Sequence, residues 1–391
     1  MIDRLRQSAR GLHDEVVAWR RHLHAHPELS FQEVETARFV AGKLDEWGIG
    51  HQTGVAKTGI VGLIRGSDPD SRCIALRADM DALPIRETGD KDYISTNEGV
   101  MHACGHDVHT ASLLGAAKLL HDHRDRLRGT VKLIFQPSEE RSPGGASVMI
   151  DEGVLEDPGV DMVLGMHVSP DLETGTIGYC PGPFMASANE IHLTVEGQGG
   201  HAAFPHRLVD PIGIAMRILD QLNETLRKRN RPDAPFVLSF GRFIAEGSTN
   251  IIPDRVEVSG TMRSFDEDFR QWAVDRIPRI AEATATAMGG SCTVDMPPGY
   301  PPLINDDALT DRVRKLAEEA FTADVVQRIP LRLSAEDFGF FTQRMPSCFY
   351  RIGTGSTAKD TRHGLHTPPF DIDEDALRTS VPLMAWLAMN V

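Results

Sequence analysis

One ten-residue segment, residues 101–110 (MHACGHDVHT), contains a thiol, three imidazoles and a carboxylate. Cys104 and His106 lie two positions apart, and Gly105 between them allows a turn that directs both side chains to one point. On a helix the same two positions would face away from each other. Alone, the segment has two equally good interpretations, half of a metal site or a histidine-rich loop around a buried structural cysteine, because such clusters indicate metal only by composition.

Further candidate ligands follow apolar runs of strand length. Three such runs end beside carboxylates or an imidazole: residues 73–78 before Asp79 and Asp81, residues 130–136 before Glu139 and Glu140, and residues 161–167 at His167. Turn residues bound these runs, as is typical of buried strands. In open α/β sheets, sites are built at the edge formed by the carboxyl ends of the strands. The runs therefore predict that these side chains converge at one edge of a sheet.

The residue types at this edge predict a dinuclear metal centre. The candidate ligands are one thiol, three imidazoles and one carboxylate, supported by a second carboxylate: Cys104, His106, Glu140, His167 and His366, with Asp81 in support. A thiolate can bridge two ions because it has more than one lone pair, and a coordinated thiol is deprotonated. Such a pair of ions can hold hydroxide at neutral pH and polarise a carbonyl group.

Glu139 and Glu140 need different roles in such a centre. Neighbouring side chains in a loop cannot easily reach one ion, so one glutamate would be a ligand. The other would act as a base toward water and as an acid toward the departing amine. Taken alone, the pair is more typical of a solvated acidic turn, but the preceding strand and the other ligands reverse that preference.

Length, charge and cysteine content limit the class of protein. At 391 residues the chain is too long for one compact core, so two domains are expected. A net charge of -15 argues against a nucleic-acid partner, which requires a basic surface. The five cysteines are widely spaced and include no C-x-x-C, which argues against disulfides and favours a reducing cytoplasm. No apolar run approaches the roughly 18 residues of a membrane span, so no membrane partner is expected.

The order of the predicted elements indicates an α/β protein with an inserted domain. The catalytic domain is expected over residues 1–183 and 297–391. Between these segments, residues 184–296 follow the order β-α-β-β-α-β of the ferredoxin-like fold. The first and last strands of that fold are antiparallel neighbours, so the chain enters and leaves at nearby points. Such a unit can be inserted without stretching the domain that carries it.

Other histidines also suggest a metal site, beginning with the alternating His22, His24 and His26. Pro27 forces the preceding residue out of helix, and no acidic or thiol partner lies at ligand spacing nearby. A structural or supporting role is therefore the preferred interpretation. The same role is expected for two histidines of the opening segment, His102 and His109.

Ten motifs that extend over nearly the whole chain resemble those of the co-catalytic metallo-aminoacylase and carboxypeptidase family. Within it, they resemble the branch of hippurate hydrolases, indole-acetyl-amino-acid hydrolases and N-acyl-L-amino-acid amidohydrolases. The motifs are residues 21–31 (RHLHAHPELSF), 76–84 (LRADMDALP), 101–110 (MHACGHDVHT), 135–140 (FQPSEE), 165–167 (GMH), 199–206 (GGHAAFPH), 250–253 (NIIP), 260–263 (GTMR), 335–338 (AEDF) and 363–368 (HGLHTP). Each is weak alone, and together they are highly specific.

For the catalytic domain, the resemblance implies a zinc-peptidase-like mixed sheet and a role for each candidate residue. Cys104 resembles the bridging thiolate that replaces an aspartate of other branches, and Glu139 resembles the general base. The remaining candidates resemble terminal ligands: His106, Glu140, His167 and His366. Asp81 resembles a residue that orients the metal centre without binding the ions.

For the inserted domain, the resemblance implies a lid or dimerisation unit. His201 resembles a histidine that reaches the substrate carbonyl oxygen, usually from the partner subunit of a dimer, and stabilises its developing charge. Asn250 resembles a further polar contact to substrate. Arg263 resembles a residue that binds the substrate carboxylate, although an exposed strand arginine is an equally good interpretation.

The leading hypothesis is a cytoplasmic amidohydrolase for N-acetyl, N-benzoyl or aryl-acetyl amino acids, working as a homodimer through the inserted domain. Two divalent ions per subunit are expected: zinc by ligand softness, manganese by resemblance, with cobalt and nickel as alternatives. A dipeptidase or carboxypeptidase of the same fold is the nearest rival. Two other classes stay open, a thiol enzyme with Cys104 as nucleophile and His106 or His109 as base, and a metal-binding protein without catalysis.

Overall fold

The computed structural model describes all 391 residues, and it contains both helices and strands. The α-helices are α1 (Ile2–Ala25), α2 (Val34–Trp47), α3 (His106–Asp122), α4 (Gly145–Asp151), α5 (Pro211–Arg229), α6 (Glu267–Ala287), α7 (Asp307–Ala320), α8 (Gly339–Thr342) and α9 (Leu377–Asn390). The β-strands are β1 (Gly50–Val55), β2 (Gly59–Arg65), β3 (Cys73–Asp79), β4 (Thr130–Gln136), β5 (Met162–Glu173), β6 (Ile177–Tyr179), β7 (Gly182–Met185), β8 (Asn189–Glu196), β9 (Gly200–His201), β10 (Phe236–Ile244), β11 (Ile251–Ile252), β12 (Arg255–Ser264), β13 (Ser291–Asp295), β14 (Leu303–Asn305), β15 (Val326–Arg328) and β16 (Ser347–Gly355).

The chain divides into two units. The first unit consists of three segments: Met1–Gly182, Ile304–Leu331 and Phe340–Val391. The second unit consists of Pro183–Leu303 and Arg332–Gly339. The domain boundaries expected from the sequence assign Arg332–Gly339 to the catalytic domain. In the structure, Arg332 and Phe184 are joined by a backbone hydrogen bond of 2.8 Å, which groups this segment with the second unit.

An eight-stranded mixed sheet forms the centre of the first unit, in the order β1-β2-β4-β3-β5-β16-β6-β15. β3 runs parallel to β4 and β5, and β5 runs parallel to β16. Every residue of β3, β4 and β16 is buried. Burial on both faces is why the sequences of β3 and β4 read as mainly apolar runs instead of alternating. The prediction of an α/β fold with a mixed sheet is confirmed.

Helices α1, α3 and α9 pack against one another in the core of the first unit. α1 buries Leu5, Leu12, Val16 and Leu23, whose spacing places them on one apolar face. α3 also contacts β3 and β5, so nearly all of its side chains are buried. No helix of the structure combines the length and the apolar content that crossing a membrane requires.

The second unit contains a four-stranded sheet in the order β10-β12-β8-β13. β8 is antiparallel to both of its neighbours, β12 and β13. α5 and α6 pack together around a separate hydrophobic core that includes the inward side chains of β8 and β12. The elements follow the order β8, α5, β10, β12, α6, β13, and the first and last strands are antiparallel neighbours. This is the topology of a ferredoxin-like fold.

Candidate metal centre

The carboxyl ends of neighbouring strands bring the predicted ligands to one edge of the large sheet. β3 ends at Asp79, and β4 ends at Gln136, just before the two glutamates of the loop. His167 lies within β5, two residues beyond Gly165, which pairs with Arg77 of β3. The strand expected to end at His167 is longer, because β5 continues to Glu173.

Gly105 sets the direction of the two side chains that flank it. Its φ of 87° lies in the left-handed region, and a Cβ at this position would lie 2.4 Å from Cγ2 of Val168. Both facts require glycine. The residue caps α3, which begins at His106. His106 is therefore held by a buried helix, while Cys104 lies in the turn before it.

Cys104 is the common member of two groups of possible ligands. One group is Cys104, His106 and His167, and the other is Cys104, Glu140 and His366; within each group the ligand atoms lie within 4.8 Å of one another. Nε2 of His167 lies 3.3 Å from Sγ of Cys104, and Nε2 of His366 lies 3.4 Å from the same sulfur. The structure thus brings all five candidate ligands together.

One ring nitrogen of His106 is placed for a cation. Nδ1 lies 2.8 Å from the backbone oxygen of Asp81 and 3.2 Å from its Oδ1, so Nδ1 carries the proton and donates it. Nε2 is buried and has no hydrogen-bond partner. Burial lowers the pKa of His106, but the charge of Asp79 raises it well above the usual value. Nε2 therefore holds either an unsatisfied proton or a cation, and the second option fits the thiol and carboxylate donors around it.

Asp81 accepts hydrogen bonds from several residues that surround the candidate ligands. Its Oδ2 accepts hydrogen bonds from the Ser30 hydroxyl at 2.7 Å and from the backbone N–H of Glu140 at 3.0 Å. Its Oδ1 accepts the backbone N–H of Glu139 at 2.9 Å. Burial raises the pKa of Asp81, but the hydrogen bonds from His106 and Ser30 outweigh burial and lower it. Asp81 is thus an ionised acceptor that joins the glutamate loop to His106.

Asp79 and His109 form a second buried pair that sequence analysis leaves without a catalytic role. Nδ1 of His109 donates to Oδ1 of Asp79 at 2.5 Å, and Arg77 donates to the other oxygen at 2.6 Å. Nε2 of His109 accepts the backbone N–H of Val168 at 3.0 Å. Burial raises the pKa of Asp79, but Arg77 and the two neighbouring imidazoles, of His106 and His109, lower it well below its usual value. Both nitrogens of His109 are engaged, so this imidazole supports the centre and does not bind an ion.

The thiol and the exposed histidine influence each other's protonation. Burial, followed by the charge of Glu140, raises the pKa of Cys104. Contacts with Cys104 and Glu140 raise the pKa of His366 to about 10. A cluster of this kind holds protons where a divalent cation would otherwise bind, and a bound cation favours the thiolate and the neutral imidazole.

The predicted substrate contacts lie in the second unit. His201 is exposed and pairs with Ile251 across the short β9–β11 ribbon. The backbone oxygen of Asn250 accepts the N–H of Ala202 at 3.0 Å, so the two predicted residues are neighbours. Nδ1 of His201 accepts the backbone N–H of Ala203 at 3.1 Å, which makes Nε2 the donor nitrogen.

Arg263 and the N-terminal histidines complete the predicted set. Arg263 lies on β12, and partial burial lowers the pKa of its guanidinium. His24 lies in a buried charge network in which its Nδ1 is 2.8 Å from Asp107 and its Nε2 is 2.9 Å from Glu87. Arg20 also donates to Asp107 at 2.8 Å. His24 therefore has a structural role, as the sequence predicts.

The sequence matches a known family over most of its length. Residues 75–390 match Peptidase family M20/M25/M40. The chain is 39% identical over 393 residues to thermostable carboxypeptidase 2 of Saccharolobus solfataricus, covering 100% of this chain and 98% of the relative. It is 44% identical over 293 residues to an N-acyl-L-amino acid amidohydrolase of Geobacillus stearothermophilus, covering 75% of this chain and 78% of the relative.

A solved structure and a further relative are also similar to this chain over most of its length. A dinuclear metal-binding peptidase of the M20 family from Bacillus subtilis is 36% identical, with a TM-score of 0.80 over 97% of this chain and 98% of that one. An N-acetyl-L-cysteine deacetylase from Bacillus subtilis is 39% identical over 366 residues, covering 94% of this chain and 85% of the relative. Taken with the match over residues 75–390, these similarities show that the chain belongs to Peptidase family M20/M25/M40.

Proposed function

We propose that the chain is a metal-dependent amidohydrolase that cleaves the amide bond of N-acyl amino acids, releasing a carboxylic acid and a free amino acid. The observation that carries the proposal is the pair of ligand groups that share Cys104, with Glu139 beside them as a carboxylate that neither group needs. The activities after which two relatives are named, those of an N-acyl-L-amino acid amidohydrolase and an N-acetyl-L-cysteine deacetylase, support this substrate class.

Two divalent ions would be held with Cys104 as the bridge. His106 and His167 would complete one ligand set, and Glu140 and His366 would complete the other. When bound, such ions polarise a carbonyl group and lower the pKa of water. Thiolate and imidazole donors favour zinc, and manganese, cobalt and nickel are the other candidates.

Glu139 would serve as the general base and then as the general acid. Its side chain is nearly buried, and Oε2 lies 4.0 Å from Nε2 of His106, so the carboxylate faces the ligands and not the solvent. It would take a proton from the attacking water and return that proton to the departing amine nitrogen. The carboxylate is thereby restored at the end of the reaction.

His201, Asn250 and Arg263 would bind substrate. With Nδ1 occupied as an acceptor, His201 would donate through Nε2–H to the carbonyl oxygen as it gains charge. Asn250, its neighbour on the ribbon, would supply a further polar contact. Arg263 lies on β12, half-buried and within the electrostatic influence of Glu190. Its guanidinium would bind the substrate carboxylate with two parallel hydrogen bonds.

The second unit would also form a homodimer. β10 is an edge strand of its sheet, and Phe243 and Ile244 near its end are 41% and 38% exposed. An edge strand with exposed apolar side chains is a surface that tends to pair with another chain. Light scattering of the purified protein would measure the mass directly.

A peptidase activity is the second candidate function, because a relative of the same length is described as a carboxypeptidase. The test is a panel of N-acetyl, N-benzoyl and indole-acetyl amino acids together with dipeptides, assayed with metal-loaded and with chelator-treated protein. We expect hydrolysis of N-acyl amino acids by the loaded protein, loss with chelator, and recovery when zinc or manganese is restored. Hydrolysis of dipeptides alone would replace the proposed substrate class with the peptidase one.

A further inference from the structure

Glu33 is a buried carboxylate outside the metal centre, and no step of the proposed reaction uses it. The residue is 0% exposed. Oε1 accepts hydrogen bonds from the backbone N–H groups of Phe31 and Ser138, both at 2.9 Å, and Oε2 accepts the hydroxyl of Thr58 at 2.6 Å. Glu33 accepts all three hydrogen bonds, so both of its carboxylate oxygens act as acceptors.

Ser138, one of these donors, has an unusual backbone conformation directly before Glu139. Its φ of 52° lies in the left-handed region, which residues other than glycine adopt only when their surroundings hold them there. The backbone oxygen of Ser138 accepts the N–H of Gly145 at 2.8 Å. A Cβ on Gly145 would lie 1.7 Å from the backbone oxygen of Pro137, so the loop packs tightly against itself. Contacts on both sides of Ser138 thus maintain the turn.

Two buried carboxylates bind three successive N–H groups of this loop. Glu33 binds the N–H of Ser138, and Asp81 binds those of Glu139 and Glu140 at 2.9 and 3.0 Å. The direction of the Glu139 side chain depends on the backbone angles that lead up to it. The bond from Ser138 to Glu33 fixes those angles one residue before the proposed base.

We propose that Glu33 is a positioning residue for Glu139: by binding the N–H of Ser138, it maintains the left-handed turn that directs the Glu139 carboxylate toward the metal ligands. The proposal rests on the general-base role of Glu139. Glu33 forms hydrogen bonds to none of the candidate ligands, so its removal should leave the metal ions and substrate affinity in place. Only the chemical step should slow, because misplacing a catalytic group by about 1 Å can cost on the order of 100-fold in rate.

The test compares two variants of nearly equal shape. Glu33→Gln keeps an oxygen acceptor for Ser138, and the Thr58 hydroxyl can reverse to accept from the new amide. Glu33→Met has the same length and no such acceptor. With metal content measured for each protein, we expect Glu33→Met to lower kcat by about 10- to 100-fold with KM within about threefold, and Glu33→Gln to stay within about threefold of wild type.

A double-mutant cycle with Glu139→Gln distinguishes positioning of the base from general support of the fold. If Glu33 acts through Glu139, Glu33→Met should change the residual turnover of Glu139→Gln by less than about threefold. An equal loss in both backgrounds, or wild-type kcat in Glu33→Met, would overturn the inference. If Glu139→Gln loses turnover but Glu33→Met does not, the inference about Glu33 is overturned and the general-base role of Glu139 stands. If Glu139→Gln keeps wild-type turnover, both the general-base role and the inference are overturned.

Should Glu33→Met fail to fold, Glu33→Asp takes its place in the same cycle. Aspartate keeps the charge but is one methylene shorter, so it cannot accept from Ser138 and Phe31 together. The expected loss of kcat and its disappearance in the Glu139→Gln background are unchanged. Wild-type kcat in a folded, metal-loaded Glu33→Asp would overturn the inference.

Discussion

Oδ1 of Asp81 accepts the backbone N–H of Glu139 at a distance of 2.9 Å. The same oxygen lies 3.2 Å from Nδ1 of His106, which the structure places among the candidate ligands. One buried oxygen thus joins the residue proposed to move protons to a residue proposed to bind metal. A change at Asp81 should affect both functions together.

Asp81→Asn should weaken metal binding and slow turnover. The amide presents N–H groups where the carboxylate accepts N–H groups, so at least one hydrogen bond to the glutamate loop is lost. Changes behind a ligand typically cost about 10- to 100-fold in metal affinity or activity. Competition titration with a metal indicator measures the affinity. Asp90→Asn, at an exposed position, is the control and should leave it unchanged.

Glu139→Gln and Glu140→Gln should separate proton transfer from metal binding. Glu139→Gln should keep its metal and lose about two to four orders of magnitude in turnover, because the base is absent. Glu140→Gln should lose metal, because it removes a charged donor from the group with Cys104 and His366. Metal analysis beside turnover of each purified variant gives the comparison. Wild-type turnover in Glu139→Gln would contradict the mechanism.

Cys104→Asp should retain part of the metal and of the activity, because a carboxylate can also bridge two ions. If Cys104 were a nucleophile instead, the aspartate variant would lose turnover while its metal content stayed unchanged. Cys348→Ala, at a buried cysteine that only accepts a hydrogen bond from Thr310, is the control. Metal stoichiometry and chelator sensitivity of the three proteins distinguish a ligand from a nucleophile.

Gly105→Ala should destabilise the protein more than Gly99→Ala. Both glycines have positive φ, 87° and 78°, so each substitution costs about 1–2 kcal/mol for a left-handed alanine. Only the Cβ at 105 would meet Val168, at 2.4 Å, whereas nothing lies within 4 Å at 99. Overpacking adds about 1–3 kcal/mol to the first variant. Urea unfolding of the two proteins measures the difference, and equal midpoints would contradict it.

Glu33→Gln should raise stability more at pH 8 than at pH 5. Burial raises the pKa of Glu33 to about 7, although the hydrogen bond from Thr58 opposes this. Because the folded-state pKa is above the unfolded one, the folded protein binds the proton more tightly, and stability falls as pH rises toward 7. The neutral amide avoids this loss of up to about 3 kcal/mol. Thermal unfolding at both pH values tests it, with Glu15→Gln, at an exposed position, as the control.

The convergence of the ligands could be predicted because it follows from strand geometry. β3 and β4 are buried on both faces and parallel, so a continuous apolar run marks each strand, and the polar residues after each run must meet at one edge. The start of α3 at His106 was harder to predict from the sequence. Gly105 caps the helix through its backbone conformation, and no serine, threonine or aspartate marks the N-cap position.

The supporting contacts could not be predicted, since they join distant parts of the chain. Glu33 and Ser138 are 105 residues apart, and Asp79 and His109 are 30 apart. Local spacing contains no signal for either bond. Two clues were present in the sequence: Asp79 follows an apolar run two residues before Asp81, and Glu33 lies two residues beyond the motif 21–31 that the family resemblance includes.

The bonds of His109 also bear on how many cations the histidine-rich segment can accommodate. A free buried imidazole beside Cys104 and His106 would compete for zinc and allow ions to bind in the wrong place. Nδ1 of His109 donates to Asp79, and the lone pair of Nε2 accepts the N–H of Val168, so His109 has no free lone pair for a metal ion. The two hydrogen bonds thereby remove one imidazole of a crowded segment from competition for the metal.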